Sequence, residues 1–103
     1  MARTEIVDSA ARVLDVLLLL FRADYSGGLA SADIERDLRL SPSAVCRYLA
    51  TLEDRGCIER IAETGRVRPS VRWAQYAAGI IANLDAAQRR AAELAQRITT
   101  ATR

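Results

Sequence analysis

Two short helical segments separated by only two residues constrain the fold of this chain most strongly. The first segment is Ser31–Leu38 and the second is Ser41–Leu52. Ser31 and Ser41 both suit the N-cap position, where a side-chain hydroxyl accepts a backbone N–H bond. Pro42 fits the first helical position, where its missing N–H leaves no bond unmade. Two helices joined by so short a turn indicate a helix-turn-helix.

The second helix has two faces of different character. Val45, Leu49 and Leu52 recur at helical spacing and are expected to face a core. The opposite face carries small side chains and one long cation: Ser43, Ala44, Cys46 and Arg47. A helix that enters the major groove of DNA needs little bulk near the bases and a guanidinium that can bind guanine or phosphate. We interpret the segment as a DNA-reading helix, with a solvated surface helix as the alternative.

A β-hairpin is predicted directly after this helix. Gly56 ends the helix as a C′ glycine. Two strand-like segments, Cys57–Ile61 and Arg66–Arg68, flank the turn Ala62–Gly65, whose glycine can supply a positive φ. Val67 alternates with two arginines, so Val67 points inward and both arginines point outward. A helix-turn-helix followed by a hairpin is a winged helix.

Several motifs of this region occur together in one family of regulators. The most specific run is Leu49–Gly56, followed by Glu63–Arg66 at the distance of the wing. Further matches are Ala11–Leu17, Gly27–Leu29, Ile34, Leu38, Leu40, Ser43, Val45 and Arg47. On these residues the chain, from Ser9 to about Leu84, resembles the N-terminal DNA-binding domain of IclR-type bacterial regulators.

This resemblance implies a winged helix-turn-helix that inserts the Ser41–Leu52 helix into the major groove, contacts the DNA backbone with its wing, and dimerises. The implied DNA-binding residues are Ser41, Pro42, Ser43, Ala44, Cys46 and Arg47 on the helix, with Arg66 and Arg68 on the wing.

The chain departs from the family pattern at Glu35, Arg39, Pro42 and Cys46, and most of all in its length. Arg39 occupies the turn position that the family usually fills with glycine. The chain ends at Arg103, whereas these regulators normally continue into a ligand-sensing domain. We therefore expect a stand-alone DNA-binding domain without a small-molecule effector.

The N-terminal segment predicts a long apolar helix from about Glu5 to Asp24. Its expected core face is Val13, Leu14, Leu17, Leu18 and Phe21. Val16, Leu19 and Leu20 extend the apolar surface around more of the helix than one domain can bury, which favours contact with a partner subunit. The alternative is a single crowded core. The apolar run is too short and too closely flanked by charges to cross a membrane.

The C-terminal segment predicts a second long helix, from Val71 to about Thr99. Apolar residues recur along it in steps of four and three, the spacing of helices that wrap around each other. These dimerisation residues are Trp73, Ala77, Ile80, Leu84, Ala87, Ala91, Leu94 and Ile98. The alternative is a helix packed back on the N-terminal helix of its own chain. Intersubunit packing is favoured because so long a helix exceeds the span of a small domain.

The composition of the chain argues against several other classes of protein, among them histidine-dependent enzymes and metalloproteins. The chain of 103 residues has room for one core, so we expect a winged domain over 1–70 and a dimerisation helix over 71–103. Histidine is absent, which excludes histidine-based metal sites and catalytic triads. With no glycine-rich phosphate loop either, we expect no enzyme, metal or cofactor. Two cysteines and no signal sequence favour the reduced cytoplasm.

The sequence therefore predicts a mainly α fold: a winged helix-turn-helix with a three-helix core, a hairpin wing and a long dimerisation helix. The predicted function is a transcriptional regulator, most simply a repressor, that binds an inverted repeat in double-stranded DNA as a homodimer. Residues 41–72 carry six arginines against four acids, which places positive charge on the DNA side. The alternative is a winged-helix adaptor for proteins, because the net charge of +2 is low for a DNA binder.

Overall fold

A computed structural model describes residues 4–102, and residues 1–3 and 103 at the ends of the two predicted domains lie outside the described part. The elements in chain order are α1 (Asp8–Arg22), α2 (Ser31–Leu38), α3 (Pro42–Asp54), β1 (Ile58–Arg60), β2 (Val67–Pro69) and α4 (Arg72–Ala101). The fold is mainly α, with a winged helix-turn-helix and a long C-terminal helix, as predicted. The chain divides into two compact units, one ending at Ser70 and one beginning at Val71. Among the described helices, none is long and apolar enough to span a bilayer.

The turn between α2 and α3 is set by local chemistry. The Ser41 hydroxyl accepts a hydrogen bond from the Ala44 N–H at 3.2 Å, so Ser41 caps α3 as predicted. Pro42 occupies the first turn, where its missing N–H costs nothing. Arg39 ends α2 in the left-handed conformation, with φ 55° and ψ 48°, and its N–H bonds to the Glu35 carbonyl. The backbone therefore adopts a glycine-like turn although the residue is arginine.

Two helix starts differ from the sequence prediction. Ala30, not Ser31, occupies the N-cap of α2, and no side chain caps that helix. Ser31 is instead the first helical residue. The first helix is also shorter than predicted, because Val7 holds an extended N-cap conformation and Ala23 is extended at the other end.

Apolar side chains from all three helices and the hairpin form one core in the first unit. Burying a side chain of this size stabilises a protein by about 1.5–3 kcal/mol. The core members are Val16, Leu17 and Leu20 of α1, Ile34 of α2, Val45, Leu49 and Leu52 of α3, and Ile58 and Val67 of the hairpin. α3 packs against both α1 and α2, which fixes its rotation about its own axis.

The predicted core face of α1 was wrong in part. Leu17 is buried as expected, but Leu14 and Leu18 are each 56% exposed, and Phe21 is exposed as well. The core uses Val16 and Leu20 instead. Both faces of this helix are apolar at helical spacing, so periodicity alone could not select between them. α1 therefore carries an exposed apolar stripe, formed by Leu14, Leu18 and Phe21.

The hairpin is joined to the α1–α2 loop by a close backbone contact. β1 and β2 are antiparallel, with Arg60 opposite Val67. Val67 also exchanges two backbone hydrogen bonds with Leu29, both at 2.9 Å. Gly28 precedes this contact with φ +66°, and a Cβ there would lie 2.6 Å from the Val67 carbonyl oxygen. Glycine is required at this position because only a bare Cα lets the two backbones approach so closely.

The second unit is the 30-residue helix α4, which is about 45 Å long at 1.5 Å per residue. Gly79 lies within it and does not break it. None of its residues is buried, and Ile80 and Leu84 are each about 60% exposed. The structure therefore leaves the predicted heptad residues of α4 with their apolar surface accessible.

We expect Gly28→Ala to destabilise the first unit much more than Gly65→Ala. Both glycines have positive φ, which costs a non-glycine residue about 1–2 kcal/mol, but no atom lies within 4 Å of a Cβ at Gly65. The clash with the Val67 carbonyl should raise the total cost of Gly28→Ala to roughly 2–4 kcal/mol. Urea unfolding of the two variants measures this difference. Equal losses of unfolding free energy would contradict the close backbone approach.

Candidate nucleic-acid interface

The packing of α3 decides which of its side chains face outward. Val45, Leu49 and Leu52 are buried as predicted, and they hold one side of the helix against the core. Five of the predicted DNA-binding residues are consequently exposed at the start and on the opposite side of the helix: Ser41, Pro42, Ser43, Cys46 and Arg47.

Ala44 departs from the expected arrangement. Its side chain is only 9% exposed, so it belongs to the core and does not face outward as predicted. The sequence contains the signal for this position, because Ala44, Tyr48 and Leu52 recur every four residues on one side of α3. The small side chain of Ala44 therefore allows close packing in the core and is not a feature of the outer face.

Ala50 is a residue of the outer face that the sequence prediction missed. It is exposed and lies three residues after Arg47 and four after Cys46, which places all three on one side of α3. Ser43 precedes Arg47 by four residues on the same side. The outer face thus consists of small side chains around a single guanidinium. This composition leaves room for a second molecule to approach the helix axis closely.

The Arg47 guanidinium forms no ion pair within the described part of the chain. It lines a shallow groove of about 560 Å³ between the start of α1 and α3, together with Ser9, Ala10, Val13, Tyr48, Ala50 and Thr51. The hydrogen of the Thr51 hydroxyl already bonds within the helix, because the hydroxyl donates to the Arg47 carbonyl at 2.9 Å. The Arg47 guanidinium is therefore available to an external partner.

Acidic residues near α3 are offset by arginines. At the end of the helix, Asp54 pairs with Arg55 at 2.8 Å and Glu53 pairs with Arg60 at 3.4 Å. Unpaired, these carboxylates would repel phosphate and would favour a protein partner over DNA. Pairing reduces that repulsion, although exposed pairs of this kind add little stability.

A similar arrangement holds on α2, where Arg36 contacts Asp37 at 3.2 Å and Asp33 at 3.1 Å. The hydrogen bond and charge of Asp37, followed by those of Asp33, raise the pKa of the Arg36 guanidinium. Arg36 is thus committed to its own helix.

The two wing arginines differ in their surroundings. Arg66 is exposed next to the turn and makes no ion pair with a described residue. Arg68 donates from Nε to the Glu59 carboxylate at 2.8 Å, and its guanidinium carbon lies 4.7 Å from the centre of the Tyr25 ring. Its side chain is 28% exposed.

Arg68 therefore points outward, as the alternation with Val67 predicted, but its guanidinium holds the wing against the α1–α2 loop. The signal for this pairing is the register of the hairpin, which places Glu59 directly opposite Arg68. Arg66 is the wing cation that remains available to a partner.

The predicted dimerisation residues all lie on the single continuous helix α4. Their spacing keeps them on one face, and except for half-buried Trp73 they are exposed: Ala77, Ile80, Leu84, Ala87, Ala91, Leu94 and Ile98. Trp73 meets Tyr76 edge to face, with ring centroids 5.9 Å apart. Across the described residues, no group of three potential metal ligands comes together.

Comparison with known proteins places this geometry in a family. The pattern of the IclR helix-turn-helix domain matches residues 9–62, which is more than half of the chain. A crystal structure of an IclR family transcriptional regulator from Brucella abortus is similar, with a TM-score of 0.61 and 22% sequence identity. That match covers 82% of this chain but 33% of the other, so the chain spans about a third of that protein's length. At this identity the structural likeness shows the fold, and no curated protein matches the chain. On the match over residues 9–62, the chain belongs to the IclR helix-turn-helix domain family.

Proposed function

We propose that this protein is a sequence-specific transcriptional regulator that binds double-stranded DNA through α3. The observation that carries the proposal is the outer face of α3, where Ser43, Cys46 and Ala50 leave space around the unpaired Arg47. Small side chains let the helix approach base edges in the major groove, and arginine can bond guanine with two parallel hydrogen bonds. Membership of the IclR helix-turn-helix family supports the same assignment.

The wing supplies a contact of a different kind. Arg66 lies beside the hairpin turn, exposed and without an ion pair in the described structure. We assign it to the phosphate backbone or the minor groove, where it would orient the protein without reading sequence. Arg68 would support this contact indirectly, because its bond to Glu59 holds the wing in place.

Two exposed apolar surfaces support a homodimer. One is the heptad row of α4, and the other is the α1 stripe of Leu14, Leu18 and Phe21. An isolated helix in water is only marginally stable, so the row along α4 favours a paired helix. A dimer would present two α3 helices to successive major grooves, and its operator would be an inverted repeat. Repression by occupying a promoter is the simplest mode of action for such a protein.

We expect Arg47→Ala to weaken binding to a specific operator by about 1–3 kcal/mol and to relax the preference at one base pair. The reason is the loss of the one long cation on the outer face of α3. Arg22→Ala is the matched control, because Arg22 is an exposed arginine at the end of α1 without an ion pair to a described residue, so its loss leaves no carboxylate unpaired. Operator binding and DNase footprinting of both variants measure the effect.

Unchanged footprints and base preference in Arg47→Ala would overturn the assignment of α3 as the reading helix. A weak wild-type affinity for DNA that hardly varies with salt would favour the protein adaptor instead. A DNA-binding protein loses affinity steeply as salt rises, because phosphate contacts release counterions.

We expect Leu84→Glu to convert the homodimer to a monomer, because it places a carboxylate at the middle of the α4 heptad row. Ala82→Glu adds the same charge two residues away, outside the row, and should leave the dimer intact. Sedimentation equilibrium distinguishes the 11.3 kDa chain from twice that mass. A monomeric wild-type protein, or equal dissociation of both variants, would contradict the proposed dimer helix.

A further inference from the structure

We propose that Arg12 and Arg39 form a binding site for a DNA phosphodiester beside the start of α3. This phosphate site deepens the proposed function and depends on it. Neither residue belongs to the predicted DNA-binding set. The site would fix the position of α3 in the groove, while Arg47 reads the bases.

The two arginines meet at one surface cavity although they come from different elements. Arg12 lies in the second turn of α1, and Arg39 lies between α2 and α3. Both line an open cavity of about 440 Å³, together with Asp15, Leu38, Leu40, Ser41 and Ala44. A cavity of this size can admit a phosphate group.

Both guanidinium groups are available to an anion. Arg12 and Arg39 are exposed, and neither makes an ion pair with any residue from 4 to 102. Other arginines of the first unit, such as Arg36, Arg60 and Arg68, are bound to carboxylates. Five arginines of residues 4–70 lack an ion pair, and Arg12 and Arg39 are the two of them that share a cavity, where an external anion can take the place of a carboxylate.

The position of the cavity matches a backbone contact. Ser41 lines the cavity and caps α3, and Arg47 follows six residues later, about 9 Å along the helix axis. Contacts to phosphates beside a reading helix set its register on the duplex without reading sequence. One helix would therefore be held by the phosphate site at its start and would read bases along its outer face.

One acidic side chain limits the charge of the site. Asp15 also lines the cavity, so the charges of its three ionised residues sum to +1. The single charge of a phosphodiester matches this net charge better than a doubly charged anion does. Removing the Asp15 carboxylate should strengthen phosphate binding, whereas removing either arginine should weaken it.

The test uses the full-length protein and a 30-base-pair duplex of random sequence, with affinity measured across a salt series. Arg12→Gln and Arg39→Gln should each reduce the steepness of log K against log salt, by up to about 0.9, the contribution of the one phosphate contact that the two arginines share. At low salt each should weaken binding roughly tenfold, whereas Asp15→Asn should strengthen it. Arg36→Gln removes an exposed arginine already paired with Asp33 and Asp37, so it should change the slope much less.

Arg39→Gly separates phosphate binding from a structural role. Glycine relieves the positive φ of residue 39, so the melting temperature should rise while DNA affinity falls. A structural role for Arg39 would instead move stability and affinity in the same direction. If both Gln variants keep the wild-type slope, the phosphate site is wrong while DNA binding through α3 stands. A wild-type protein without a salt-dependent affinity would overturn the proposed function and the phosphate site together.

Titration with inorganic phosphate distinguishes a free anion from the DNA backbone. We expect the backbone amide of residue 39 to show no saturable shift in NMR spectra below about 10 mM phosphate, because an exposed ion pair contributes only about 0.2–1 kcal/mol. Saturation at lower concentrations, with DNA slopes unchanged in the Gln variants, would assign the cavity to a free anion and contradict the proposal.

Discussion

The rotation of α3 about its own axis is the constraint on which the rest of this structure depends. Val45 and Leu49 are buried against α1 and α2, and this packing leaves the opposite face of the helix accessible. A rotation by one residue would expose Val45 and turn Arg47 toward the core. The same apolar contacts that stabilise the domain therefore determine which side chains a DNA groove would meet. The Ser41 cap fixes where that surface begins.

Pairing of charges divides the arginines of the first unit into two groups. Arg60 and Arg68 are bound to carboxylates and hold local structure in place. Arg22, at the end of α1, lacks an ion pair with a described residue. The same holds for Arg47, Arg66 and the phosphate-site pair, and these four lie on α3, on the wing and beside the start of α3. The low net charge of the chain is thus compatible with a local surplus of free cations at the proposed interface, which matters more for DNA binding than the total.

Local sequence predicted the fold well, because caps, turns and helix periodicity are properties of adjacent residues. The Ser41 cap, the Gly65 turn and the inward Val67 are confirmed on this basis. The exposed face of α1 was not predictable, because two apolar faces at equal spacing are distinguished only by what packs on them. At the site, the burial of Ala44 and the ion pair of Arg68 also depend on tertiary packing, which local sequence does not specify. The size of a side chain does not say which way it points, and a free charge is recognised only once its three-dimensional neighbours are known.

Selection of bound fragments from a random DNA library, read by sequencing, tests the central claim most directly. The claim is that two α3 helices, related by the symmetry of a dimer, read DNA sequence together. It predicts enrichment of an inverted repeat whose half-site centres are separated by about one helical turn or a multiple of it. Recovery of no enriched sequence, or of a single unpaired motif, would contradict a dimeric DNA-reading protein.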